Sequence, residues 1–104
     1  MERQQVQVGM ALAIIHHIAI SNNVPLDSIS AFFAKLCQHL IIEFVPKSDS
    51  QVARLLTTRE DVFPDYNQEG FEFAFSRHFK IRKSKAIENS ERVMYLMEAR
   101  PPVQ

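Results

Sequence analysis

The sequence predicts one α/β domain whose mostly parallel sheet ends in an antiparallel hairpin. Two apolar runs, MALAII at residues 10 to 15 and LIIEFVP at 40 to 46, have the look of buried strands. Between them apolar residues recur at three- and four-residue steps, the period of a helix, so the order strand, helix, strand points to a right-handed parallel crossover. Two further strand-like runs, 79 to 87 and 92 to 99, are joined by the polar turn ENSE, too short for anything but an antiparallel pair.

Each element has a local reason. The first strand ends at His16 and His17, where the polar loop SNNVP begins, and its unbroken apolar character predicts burial on both faces. Leu26, Ile29, Phe32, Phe33, Leu36, Cys37 and Leu40 share one helix face, and Pro25, Asp27 and Ser28 suit that helix's first turn. Pro46 stops the second strand, because it cannot donate to a ladder. From Ser48 to Arg59, Val52, Leu55 and Leu56 mark a short amphipathic helix capped by Asp49 or Ser48. DVFPDYNQEG reads as an irregular loop. Gln68 to Phe79 then spaces Phe71, Phe75 and Phe79 four residues apart, with Ala74 and His78 beside them, a stripe better suited to core than to a stacking platform. Residues 1 to 8 and 100 to 104 are expected to be flexible.

Composition narrows the function classes. A chain of 104 residues with 46% hydrophobic content supports one small core. Twelve basic side chains balance 12 acidic ones, so no overall field draws nucleic acid or an anionic membrane. Arg77, Lys80, Arg82, Lys83 and Lys85 form a local basic run, but Lys80 and Arg82 alternate with Phe79 and Ile81, which favours a solvated strand face over an RNA patch. No apolar run is long enough to span a membrane, and MERQQVQ is not a signal peptide. The lone Cys37 reads as a small core side chain, and the chain is expected in the cytoplasm. His16, His17, His39 and His78 lack metal-ligand spacing, so no metal site is expected.

Ligands of open α/β sheets bind outside the carboxyl ends of the parallel strands, which places His16 to Asn23 and Glu43 to Lys47 on one rim. Glu43 interrupts an apolar strand, so its carboxylate needs either rim exposure or an ion pair, with Lys47 the partner at hand. Phe63 and Tyr66 of FPDY are candidate wall residues of a cleft, with a packed loop as the alternative.

ALAIIHHIAISNNVPL, IIEFVPKSDSQVARLL, REDVFPDYNQEGFEFAFSRHFKI and SERVMYLMEAR, in that order, resemble the C-terminal half of class I S-adenosylmethionine-dependent methyltransferases, in the bacterial group called nodulation-protein-like. The resemblance implies a partial Rossmann-like sheet. Residues 10 to 17 would be its fourth strand, 40 to 46 its fifth, and the terminal hairpin its sixth and seventh. It implies S-adenosylmethionine as cofactor and methyl transfer by direct displacement. It also places His16, His17, Asn22 and Asn23 where the family's donor and acceptor meet, with Glu43, Lys47, Phe63 and Tyr66 as substrate-side candidates. A neutral imidazole there would take the acceptor's proton. Strand side chains alternate between faces, so one histidine faces the cleft, and His17 is preferred over His16.

The family's glycine-rich loop and ribose-binding acid belong to its first three strands, and this chain shows neither. Its glycines, Gly9 and Gly70, are too far apart for a G-x-G turn. The expectation is therefore an acceptor-side half, inactive alone. The competing reading is a non-enzymatic α/β domain that self-associates or pairs with a separate cofactor-binding chain. Without strands beyond it, the fourth strand becomes a bare apolar edge, which predicts a homodimer through that edge or the surface beside it.

Overall fold

The computed structural model describes residues 6–58 and 60–101. In chain order it contains β1 (Val6–Ala11), a π turn (His17–Ser21), α1 (Leu26–Leu36), β2 (Cys37–Phe44), α2 (Ser50–Leu56), α3 (Gln68–Ser76), β3 (Phe79–Ala86) and β4 (Val93–Ala99). One four-stranded sheet runs in the order β1-β2-β4-β3. β1 pairs parallel with β2, as the crossover predicted. The terminal hairpin is antiparallel, and its second strand, β4, lies between β2 and β3 and runs antiparallel to both. The α/β class and flanking helices hold in a mixed sheet: β1, β2 and β3 run in one direction and β4 alone runs against them.

Burial along the strands shows which face the helices cover. Leu40, Ile42, Phe44, Tyr95 and Met97 are fully buried or nearly so, while His39, Ile41, Met94 and Leu96, which alternate with them, keep some exposure. Helices α1 and α3 pack on each other and on the sheet, closing one core around Phe71, Phe75 and Phe79. All three phenylalanines are fully buried, so the four-residue stripe is core. Phe71 lies at its centre, with ring centroids 5.1 Å from Phe44, 4.5 Å from Phe75 and 5.0 Å from Tyr95.

Several boundaries move. The first strand is residues 6–11 rather than 10 to 17, and its even-numbered side chains are exposed instead of buried on both faces, because among the described residues no helix covers that side. β2 begins at Cys37 directly after α1, so Cys37 and Leu40 belong to the strand and not to the helix. Cys37 is buried, and its thiol donates to the Phe33 carbonyl at 3.2 Å. Asp49 caps α2 by accepting from the Gln51 N–H at 2.9 Å. Residues 6 to 8, expected to be flexible, form the start of β1. Arg100 is held as well: its N–H donates to the His78 carbonyl and its Nε to the Ser76 carbonyl, each at 2.9 Å. The flexibility expected for 1 to 5 and 102 to 104 lies outside the described residues. Among the described residues no helix is long and apolar enough to cross a membrane.

Candidate functional site at the carboxyl ends of β1 and β2

β1 stops at Ala11, and the chain turns at Ala13, whose φ of 54° lies in the left-handed region that side chains with a Cβ disfavour. The Ala13 N–H donates to Glu43 Oε1 at 2.7 Å, which holds the turn against the end of β2. Glu43 is 8% exposed, so its carboxylate needs a cation. Arg92, just before β4, supplies it: Nη1 lies 3.3 Å from Glu43 Oε1. The same guanidinium grips Asp49 with two bonds, Nε to Oδ2 at 2.8 Å and Nη2 to Oδ1 at 3.2 Å. One side chain thus ties together the turn after β1, the end of β2 and the cap of α2. Its hydrogen bonds hold the Asp49 carboxyl below its ordinary range, and Asp49 in turn raises the Arg92 guanidinium.

His16 lies near enough to this cluster to feel Arg92 and Asp49, and it and His17 sit on a turn and not on a strand. His16 is helical, and the π turn that follows is closed by the Asn22 N–H donating to the His17 carbonyl at 3.1 Å. Alternation between strand faces therefore does not apply, and the two rings lie against each other at a tilt of 39° with centroids 4.2 Å apart. His16 is 1% exposed, and among the described residues neither ring nitrogen has a hydrogen-bond partner. Desolvation, followed by the positive character of His17 and Arg92, lowers its pKa to about 4, so it is neutral at physiological pH. His17 is exposed. Of the two, it alone is accessible to exchange a proton with a ligand.

The remaining candidates fall elsewhere. Lys47 does not pair with Glu43. It meets Asp61 at 2.9 Å and donates to the Phe63 carbonyl at 2.7 Å, pinning the loop before α3. Asn23, Phe63 and Tyr66 line an open groove of about 770 Å³ whose walls include Val62, Asp65 and Phe73 but neither histidine. Tyr66 is chiefly a core residue, 3% exposed, with its hydroxyl donating to the Val45 carbonyl at 2.5 Å. Burial pushes its phenol well above the usual range, so it is a poor acid. Gly70 closes the groove floor, where a Cβ would collide with the Asp65 carbonyl oxygen. Asn22 is exposed and outside both groups of residues.

Of the residues the sequence singled out for one rim, His16 and Glu43 lie near this cluster, and its central side chain was not among them. Arg92 went unremarked, because its partners lie 43 and 49 residues away and no local pattern marks a pairing over that distance. Among the described residues no group of three or more His, Cys, Asp or Glu is placed to hold a metal ion. The basic residues of β3 are exposed, with Arg82 3.7 Å from Glu98, as on a solvated face.

Against known proteins, the chain is 44% identical over 89 residues to the nodulation protein NoeA of Rhizobium meliloti (strain 1021). The match takes in 86% of this chain but 19% of that protein, so the chain spans about a fifth of its relative's length. No family model matches the chain, and no solved structure matches it.

Proposed function

We propose that this chain is the acceptor-side half of a class I S-adenosylmethionine-dependent methyltransferase fold, its strands β1, β2, β3 and β4 standing for that fold's fourth to seventh. The observation that carries the reading is the sheet itself: a parallel pair, β1 and β2, followed by an antiparallel hairpin, with helices over one face. The rim supports it, since the carboxyl ends of β1 and β2 hold a left-handed turn, an internal charge cluster and an exposed histidine, His17, next to a neutral one. His17 is then the candidate proton acceptor toward a bound hydroxyl or amine, beside a buried, neutral His16.

The residues present do not fit the cofactor. Gly9 lies inside β1, where a Cβ would sit 3.2 Å from Cys37 Sγ, and Gly70 is in the first turn of α3. Neither glycine has a positive φ, so neither makes a phosphate- or carboxylate-cradling turn. The chain alone is therefore expected to be inactive. In calorimetric titration with S-adenosylhomocysteine it should show no submillimolar binding. Saturable binding below that range would sink the assignment of the cofactor half to other polypeptide.

A further inference from the structure

The open groove between the start of α1 and the loop before α3 carries charge of one sign. Asp27, Asp65 and Glu69 line it and, among the described residues, no lysine or arginine does, in a chain whose 12 basic and 12 acidic side chains balance overall. Asp27 is already paired, since Arg77 Nε and His78 Nε2 each lie 3.4 Å from its Oδ1. Asp65 and Glu69 are exposed and form no ion pair among the described residues. The wall beside them is apolar and open to solvent, with Phe73 72% and Val62 59% exposed. Helical spacing sets Glu69 and Phe73 one turn apart on the same face of α3, so a free carboxylate and an aromatic ring stand side by side.

The groove is also held in shape. Lys47 donates to the Phe63 carbonyl and the Tyr66 hydroxyl to the Val45 carbonyl, which fixes the loop from both ends. Gly70 lets that loop lie directly on α3, where a Cβ would collide with the Asp65 carbonyl oxygen. Its volume of about 770 Å³ falls within the range of sites for small molecules. We propose that this groove binds a small organic cation, an ammonium group carried on an apolar body. Asp65 and Glu69 take the charge, the Phe73 ring turns the negative face of its π system to it, and Val62 covers the apolar part. Exposed carboxylates alone would gain little from a hydrated cation, and the aromatic wall supplies the contact that makes an organic one the better fit. Charge complementarity decides against an anion, which would meet like charge along the whole groove. The inference stands whether or not the methyltransferase reading does, since neither histidine of the rim lines the groove.

Titration of the full chain, followed by its backbone amide resonances, tests the proposal with three probes that share a phenyl body and differ in charge: phenethylammonium, phenethyl alcohol and hydrocinnamate. The ammonium should shift the amides of Asp65, Glu69 and Phe73 saturably, with a Kd of about 1 mM, the range open to so small a molecule. The alcohol should bind about tenfold more weakly, and the carboxylate should not bind. Glu69→Gln and Phe73→Ala, both at exposed positions, should keep a native far-ultraviolet circular dichroism spectrum and each weaken the ammonium about fivefold. Glu88→Gln, in the turn between β3 and β4, should change nothing. No saturable shift at these amides overturns the proposal. So does equal binding of the alcohol or the carboxylate, or binding that survives both wall substitutions. Shifts at the same amides on raising the protein concentration alone would give the groove to a second copy and overturn it as well.

Discussion

Replacing Arg92 by alanine is expected to destabilise the chain by about 3 kcal/mol in urea unfolding, near the lower end for breaking a buried ion pair because the cluster is partly hydrated. The side chains of Arg92, Glu43 and Asp49 are 21%, 10% and 13% exposed, so removing the cation strands two carboxylates away from full solvation. The left-handed Ala13 turn also loses the support of an oriented Glu43. The effect depends on pH with a definite sign. Asp49 titrates below its ordinary 3.8 in the folded chain, so its contribution is complete above that value and is lost as pH falls through the lowered one. The gap between native and Arg92→Ala proteins should therefore be full at neutral pH and shrink below about pH 4. A gap under 1 kcal/mol at pH 7, or one that stays constant into strong acid, would mean that the triad does not organise the rim.

Phe71→Ala should cost still more, about 4 kcal/mol, as a large aromatic truncated in a closed core. Phe71 is fully buried and touches rings from β2, α3 and β4, so the cavity opens where helix and sheet meet. A domain this size holds only about 5–15 kcal/mol in all, and the variant should be largely unfolded at modest urea. Phe73→Ala serves as the contrast: it lies two residues away on the same helix, 72% exposed, and should change stability by less than about 0.5 kcal/mol. Equal effects of the two substitutions would contradict the packing described.

What could be read from the sequence was whatever local periodicity controls. The four-residue spacing of Phe71, Phe75 and Phe79, the ENSE hairpin and the Asp49 cap each follow from neighbours in the chain, and each is found. β1 shows how a strong pattern hides a weaker one. The dense run MALAII outweighed the alternation of Val6, Val8 and Met10, although the alternating residues form the strand and the second half of the run becomes a turn. Ala13 gives no hint of its positive φ, since alanine seldom adopts it. The absence of a loop between α1 and β2 let helical periodicity run on to Leu40, because Cys37 and Leu40 are inward-facing in the strand as they would be in a helix. At the site, chain proximity suggested Lys47 for Glu43, whereas the fold brings Arg92 from the far end.

The sheet carries exposed cations and a register shift on its β3 edge, whereas β1 has no strand partner on its far side among the described residues. Hydrogen exchange of the β1 backbone amides at high dilution tests this most directly. The amides of Val6–Ala11 that point away from β2 should exchange rapidly, while those of β2 stay protected. If all β1 amides were as slow as those of β2 at the highest dilution, the strand would be covered within its own chain, and the half-sheet account would be wrong.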